Sequence, residues 1–110
     1  MYPESNASGN TELHRVAIVI PRGVDDERWI DFAGRKLAER FGSARGGGGF
    51  ASLEINGVTV ITPVVVVFTY VEDPLTELDL AIVYGIGLQV YEALQRDGIA
   101  VMIDDDVFVF

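Results

Sequence analysis

Between Gly57 and Val71 the chain reads GVTVITPVVVVFTYV, and from Val64 onward neither parity of that run forms a polar face. Val, Ile, Thr, Phe and Tyr fit a pleated, buried surface better than a helix, so the run predicts a strand. Val64, Val66, Phe68 and Tyr70 point one way, and Val65, Val67, Thr69 and Val71 point the other. A strand that is mostly apolar on both faces has to be covered on both.

The residues just before this strand set its pairing. Asn56-Gly57 between two β-type runs predicts a two-residue hairpin loop, because both positions must take φ > 0. Ile55 then pairs with Val58, Leu53 with Val60 and Ala51 with Thr62. Pro63 lacks the N–H a ladder needs, which places it either at a bulge or where that N–H would have faced an open edge.

The chain has 110 residues, enough for one domain with a real core. Its net charge of −9 gives no electrostatic basis for binding nucleic acid or an anionic membrane. Lys36 is the only lysine beside seven arginines. A high-salt cytoplasm selects such an acidic, lysine-poor surface, and base composition alone also produces one. The absence of cysteine excludes disulfides, thiol catalysis and thiolate metal sites. No run is long and apolar enough to span a membrane, and there is no signal-peptide pattern, so the expectation is a soluble, cytoplasmic protein.

Taken in order, residues 1–12 are polar and aperiodic and read as a disordered tail. Asn6-Ala7-Ser8 within it matches a glycosylation acceptor by chance. Leu13 to Ile20 is a strand, apolar on both faces from Val16 onward. Asp25 or Asp26 offers an N-cap to a helix running to about Phe41, with Trp29, Ala33, Leu37 and Phe41 along one stripe and Gly42 ending it. Ser43 to Gly49 reads as a flexible loop, since its four glycines lack the order of a phosphate loop. A second helix is expected over 74–96, with Asp73 as N-cap and Pro74 at its first position. Within it, Gly85 and Gly87 each cost about 1 kcal/mol relative to Ala, which implies close approach to the sheet, a kink or a ligand against the backbone. Ile99 to Ile103 is the last long strand. Asp104, Asp105 and Asp106 form a solvated acidic turn without cation-site spacing, followed by a short strand.

The order strand, helix, strand, strand, helix, strand predicts an α+β fold: a ferredoxin-like four-stranded antiparallel sheet, both helices on one face, and a short extra C-terminal strand. Two helices cover one face only. The aliphatic residues of the uncovered face, drawn from Val16, Ile18, Val64, Val65, Val66, Val67 and Val101, therefore predict a homodimer packed sheet against sheet. In element order, in the opening VAIVIPRG and in the helix face Trp29-Ile30-Asp31-Phe32 with Arg40-Phe41, the chain resembles the dimeric α/β-barrel group of ferredoxin-like domains. It is also loosely similar to a family of small bacterial domains of unknown function. The barrel group includes cofactor-free oxygenases, haem-handling proteins and stress proteins, so the resemblance implies no single activity.

Groups able to do chemistry are few. His14 is the only histidine, so any general base of that type must be His14, and a histidine-rich metal site is impossible. Tyr70, Tyr84 and Tyr91 are candidates to line a cavity between sheet and helices, with Gly85 and Gly87 beside it. Arg22 and Glu72 fall at opposite ends of antiparallel neighbours and cannot share a site. No metal or cofactor is expected. The leading expectation is a non-catalytic, self-associating domain that binds a small apolar molecule or a protein partner. The alternative is a cofactor-independent oxygenase or isomerase with an apolar pocket, and a third class is a subunit of a larger hetero-assembly.

Overall fold

The structure, a computed structural model, describes residues 12–110. The polar stretch expected as a tail, with its Asn6-Ala7-Ser8 motif, lies outside the described residues except for Glu12. The elements run β1 (Leu13–Pro21), α1 (Asp26–Phe41), β2 (Arg45–Ile55), β3 (Val58–Glu72), α2 (Glu77–Leu94), β4 (Ala100–Ile103) and β5 (Asp106–Val109). The strands form one antiparallel sheet in the order β2-β3-β1-β4-β5.

The hairpin has the register its turn chemistry dictates. Ile55 faces Val58, Leu53 faces Val60 and Ala51 faces Thr62, with Asn56 at φ 53° and Gly57 at φ 78°. That register continues without a bulge through Pro63. The Pro63 carbonyl accepts from Arg22 N–H at 2.9 Å just past the end of β1, so its missing N–H, on the same side, would have met no strand partner.

The expected glycine loop is instead strand. Gly46, Gly47, Gly48 and Gly49 pair with Val67, Val66, Val65 and Val64 as part of β2. Glycine has low strand propensity, but the edge of β3 needs backbone partners, and ladder hydrogen bonds require no side chain. The missing side chains leave a groove of about 270 Å3 against α1, bordered by Gly34, Ala38, Ala44 and Gly46.

Alternation along the strands divides the apolar residues between two cores. Beneath the helices, Val16, Ile18, Ile20, Val65, Val67 and Val101 pack with Ala33 and Leu37 of α1 and with Val83, Ile86 and Val90 of α2. Val16, Ile18, Val65, Val67 and Val101 therefore cannot belong to an uncovered dimer face; of the seven residues from which one face was to be drawn, only Val64 and Val66 lie on the far face. On that side Val19, Val64 and Ala100 are buried, with Ala51, Val66 and Met102 packed beside them. The exposed hydrocarbon lies instead toward the margins, at Leu13, Tyr70, Val58, Val60, Val107 and Val109.

The first helix begins at Asp26 with Asp25 at the N-cap position, as expected, whereas the second begins later than expected. Asp25 takes φ 65° and makes no side-chain cap. Asp26 instead accepts from Arg22 Nε at 2.6 Å and from Gly23 N–H at 3.2 Å. Burial pushes the Asp26 carboxyl up, but these hydrogen bonds and the Arg22 charge outweigh it and bring the group below its ordinary range. The second helix begins at Glu77 rather than at Pro74, because Thr76 and Asp79 form a reciprocal capping box at 3.1 Å in each direction. It ends at Leu94, ahead of Gln95 at φ 49°. Asp79 also ties the helices together, accepting from Arg40 Nη2 at 2.7 Å and Nε at 3.1 Å. Those Arg40 bonds, followed by the ones from Thr76, hold the Asp79 carboxyl below the usual range. No described helix is long and apolar enough to cross a membrane.

Candidate functional site

The helix α2 rests on β1 and β4, while β5 extends the sheet beyond it. The angle between helix and hairpin leaves a cleft of about 400 Å3, within the roughly 300 to 1,000 Å3 range of small-molecule sites. One wall is Leu80, Ala81 and Tyr84 of α2. The other is Val101 and Ile103 of β4 with Asp106 and Phe108 of β5. The second wall follows from the hairpin register, in which Val101 faces Phe108 and Ile103 faces Asp106, so all four share the helix side. Of the lining side chains only Tyr84, with its hydroxyl, and Asp106, with its carboxylate, carry polar groups. Such a slot takes a flat or apolar group and offers one donor–acceptor and one anion to hydroxyls or to positive charge.

An aromatic group adjoins the cleft. The Tyr84 ring lies 4.9 Å from that of Phe110, and Tyr91 stacks on the same ring at 5.8 Å. The Phe110 N–H donates to Ile99 O at 3.0 Å, which holds the ring against α2. Gly87 makes this possible, since a Cβ there would sit inside contact distance of both Val101 and Phe110. Its bare backbone thus meets side chains of this chain rather than a ligand. Gly85 has nothing within 4 Å of the same position and lines no wall.

Of the sequence candidates, Tyr84 alone lines the cleft. Tyr70 points to the far face of the sheet, 53% exposed, edge-on to Phe68 at 6.0 Å, and cannot reach a sheet–helix cavity. Tyr91 supports Phe110 from behind. Glu72 closes one end of the β1–β3 ladder and Arg22 follows the other, as antiparallel pairing requires. Asp106 and Phe108 were missed because an acidic turn and a short tail strand carry no sign of the helix they face. The alternation of Val107 to Phe110 was the only available signal.

His14 is engaged differently from a general base. Its Nε2 lies 2.8 Å from Asp73 Oδ1 and its Nδ1 lies 2.9 Å from Asp104 Oδ2. The hydrogen bond to Asp73, then that to Asp104, raises the ring's pKa above its ordinary value. With a carboxylate on each nitrogen the favoured ring carries both protons, leaving no lone pair to accept another. Asp104 is accordingly not merely solvated: it also accepts from Arg15 N–H at 3.0 Å, and the bonds from His14 and Arg15 hold its carboxyl below the usual range. The two carboxylates sit on opposite ring nitrogens, and among the described residues no group of three His, Asp or Glu converges to hold a metal ion.

No protein-family model and no curated protein matches the chain. Two solved structures do. A phage SAM lyase in complex with S-methyl-5'-thioadenosine is 14% identical, with a TM-score of 0.65 over 99% of this chain and 95% of that one. The phage SAM lyase in its apo state is 15% identical, with a TM-score of 0.60 over 98% and 95%. At these identities the likeness shows a shared fold. It overturns the expectation of a non-catalytic binding domain, because the fold that this chain matches nearly end to end is that of an enzyme with a small molecule bound.

Proposed function

We propose that the chain is a small lyase acting on a nucleoside sulfonium of the S-adenosylmethionine class, with the adenosyl thioether portion held in the cleft between α2 and β4–β5. The observation that carries this reading is the apolar cleft, with Tyr84 and Asp106 its polar groups, on a fold matched by a SAM lyase structure with S-methyl-5'-thioadenosine bound. Cleaving a carbon–sulfur bond of a sulfonium discharges the cation and leaves a neutral thioether. That step needs no acid to assist the leaving group, so few titratable side chains suffice. The site has instead to bind, orient and keep water from competing. Leu80, Val101, Ile103 and Phe108 exclude water, Tyr84 presents a ring face to the base, and Asp106 accepts from ribose hydroxyls or faces the sulfonium charge. This retains the enzyme with an apolar pocket from the sequence reading and replaces its oxygenase or isomerase chemistry with internal displacement, in which the substrate's own carboxylate attacks the carbon as its bond to sulfur breaks, so that a lactone and the neutral thioether form with no net proton transfer.

Two finer readings accompany it. The order β2-β3-β1-β4, with a helix in each crossover, supports a ferredoxin-like assignment with β5 added at the edge. The exposed Val58, Val60, Tyr70, Val107 and Val109, all on the far face, support self-association through the margins of that face, which sedimentation at micromolar concentration tests.

The deciding experiment incubates the purified chain with S-adenosylmethionine and follows S-methyl-5'-thioadenosine by liquid chromatography. Time-dependent product is expected, reduced about tenfold or more by Asp106→Asn and by Tyr84→Ala. No product, together with no calorimetric binding of the thioether, would remove the proposal.

A further inference from the structure

His14 stands at the junction of the two cleft walls without lining either. Asp73, on its Nε2, leads through Pro74 and Thr76 into α2, whose first turns carry Leu80, Ala81 and Tyr84. Asp104, on its Nδ1, forms the turn between Ile103 and Asp106 at φ 52°. Backbone bonds place the same three segments together: Asp73 N–H donates to Glu12 O at 2.9 Å and Asp104 N–H to Arg15 O at 2.8 Å. One ring thus bridges the approach to each wall.

We propose that His14 is a positioning residue whose doubly protonated ring ties the α2 wall of the cleft to the β4–β5 wall, so that the cleft keeps its shape only while both ring nitrogens donate. A neutral imidazole has one N–H and one lone pair. On losing its proton the ring turns that lone pair toward one of two carboxylates, and one wall comes free. The ring's pKa is raised in the folded chain. Its contribution is therefore complete below the unfolded value of about 6.5 and is lost as pH rises through the folded value. Asp104 is shifted down and stays ionised throughout that range. The other charged groups at this end are Glu12, Glu72, Asp105 and Asp106 and, in the first turn of α2, Glu77 and Asp79; these carboxylates favour the ring proton, and the Arg40 charge beside them is taken up by Asp79 at 2.7 Å. The Arg15 guanidinium lies over the Phe68 ring at 4.9 Å on the far face, where it does not compete.

The test uses the full chain, whose single histidine gives one ring signal. Nuclear magnetic resonance yields the ring's pKa, and amide exchange, corrected for its intrinsic pH dependence, is followed in Asp104–Phe108 and in Leu78–Ala81. Protection of both segments should fall together through that pKa, by about tenfold for each unit the ring is raised, while Ala33–Leu37 in α1 stays level. His14→Gln should show low protection at every pH. Asp73→Asn, which keeps an acceptor but removes a charge, should move the transition to lower pH along with the ring. A ring titrating at its ordinary value, one segment responding without the other, or a transition unmoved in Asp73→Asn would each overturn the proposal. The cleft's proposed use enters only in a last arm, in which calorimetric affinity for S-methyl-5'-thioadenosine should fall across the same pH interval. If the thioether fails to bind at any pH, the lyase reading falls, while the exchange data still decide the role of His14.

Discussion

The two ends of β3 are built from the same kinds of residue and have opposite fates. From Val64 to Phe68 the strand runs between β1 and β2, and Val65 and Val67 are buried under α1 and α2. From Val58 to Thr62 it has only β2 beside it, and Ile61 is 65% exposed, as Phe50 is at 77% across the hairpin. β-branched residues fill both halves, although only the half after Pro63 is apolar on both faces, and the structural boundary between them is where β1 stops, at Pro21 opposite Val64. A β-branched residue on a strand thus gains burial from its neighbours and little from its own type.

Substitutions in pairs of like residues test this contrast. The largest effect is expected from Ile18→Ala in the covered sheet, a loss of about 2 to 5 kcal/mol in urea unfolding. Next comes Gly87→Ala, where overpacking against Val101 and Phe110 should cost about 1 to 3 kcal/mol. Thr76→Ala removes a cap that depends only on local chain, at a cost of about 1 kcal/mol. Gly85→Ala, on the same helix but with open space at its Cβ, should reverse the sign and stabilise by up to about 1 kcal/mol. Ile61→Ala on the arm should lie within about 0.5 kcal/mol of no change. A cost well above that would break the contrast and mean that another copy covers the arm in solution.

Much of the fold was legible from the chain. The Asn56-Gly57 register, the two-faced run after Pro63 and the apolar stripe of α1 follow from turn chemistry and period. Others misled for identifiable reasons. The glycines at 46–49 look like a loop because glycine lacks intrinsic strand preference, and Asp73-Pro74 looks like a helix start because the Thr76–Asp79 box that supersedes it lies only a few residues further on. Of the candidate site, Tyr84 was legible and Asp106 and Phe108 were not, since nothing local indicates which helix a short C-terminal strand will face.

Alone, the amino-acid order determined both helices, every strand outside the glycine run, and which side chains share a face, because dihedral preference and periodicity act over a few residues. The tertiary structure decided which face the helices cover, that four glycines complete a sheet edge, and that His14 lies between carboxylates 59 and 90 residues away in the chain. Each of these depends on burial or hydrogen bonding supplied by a distant segment, and the free energy of such a contact exists only once both partners are in place.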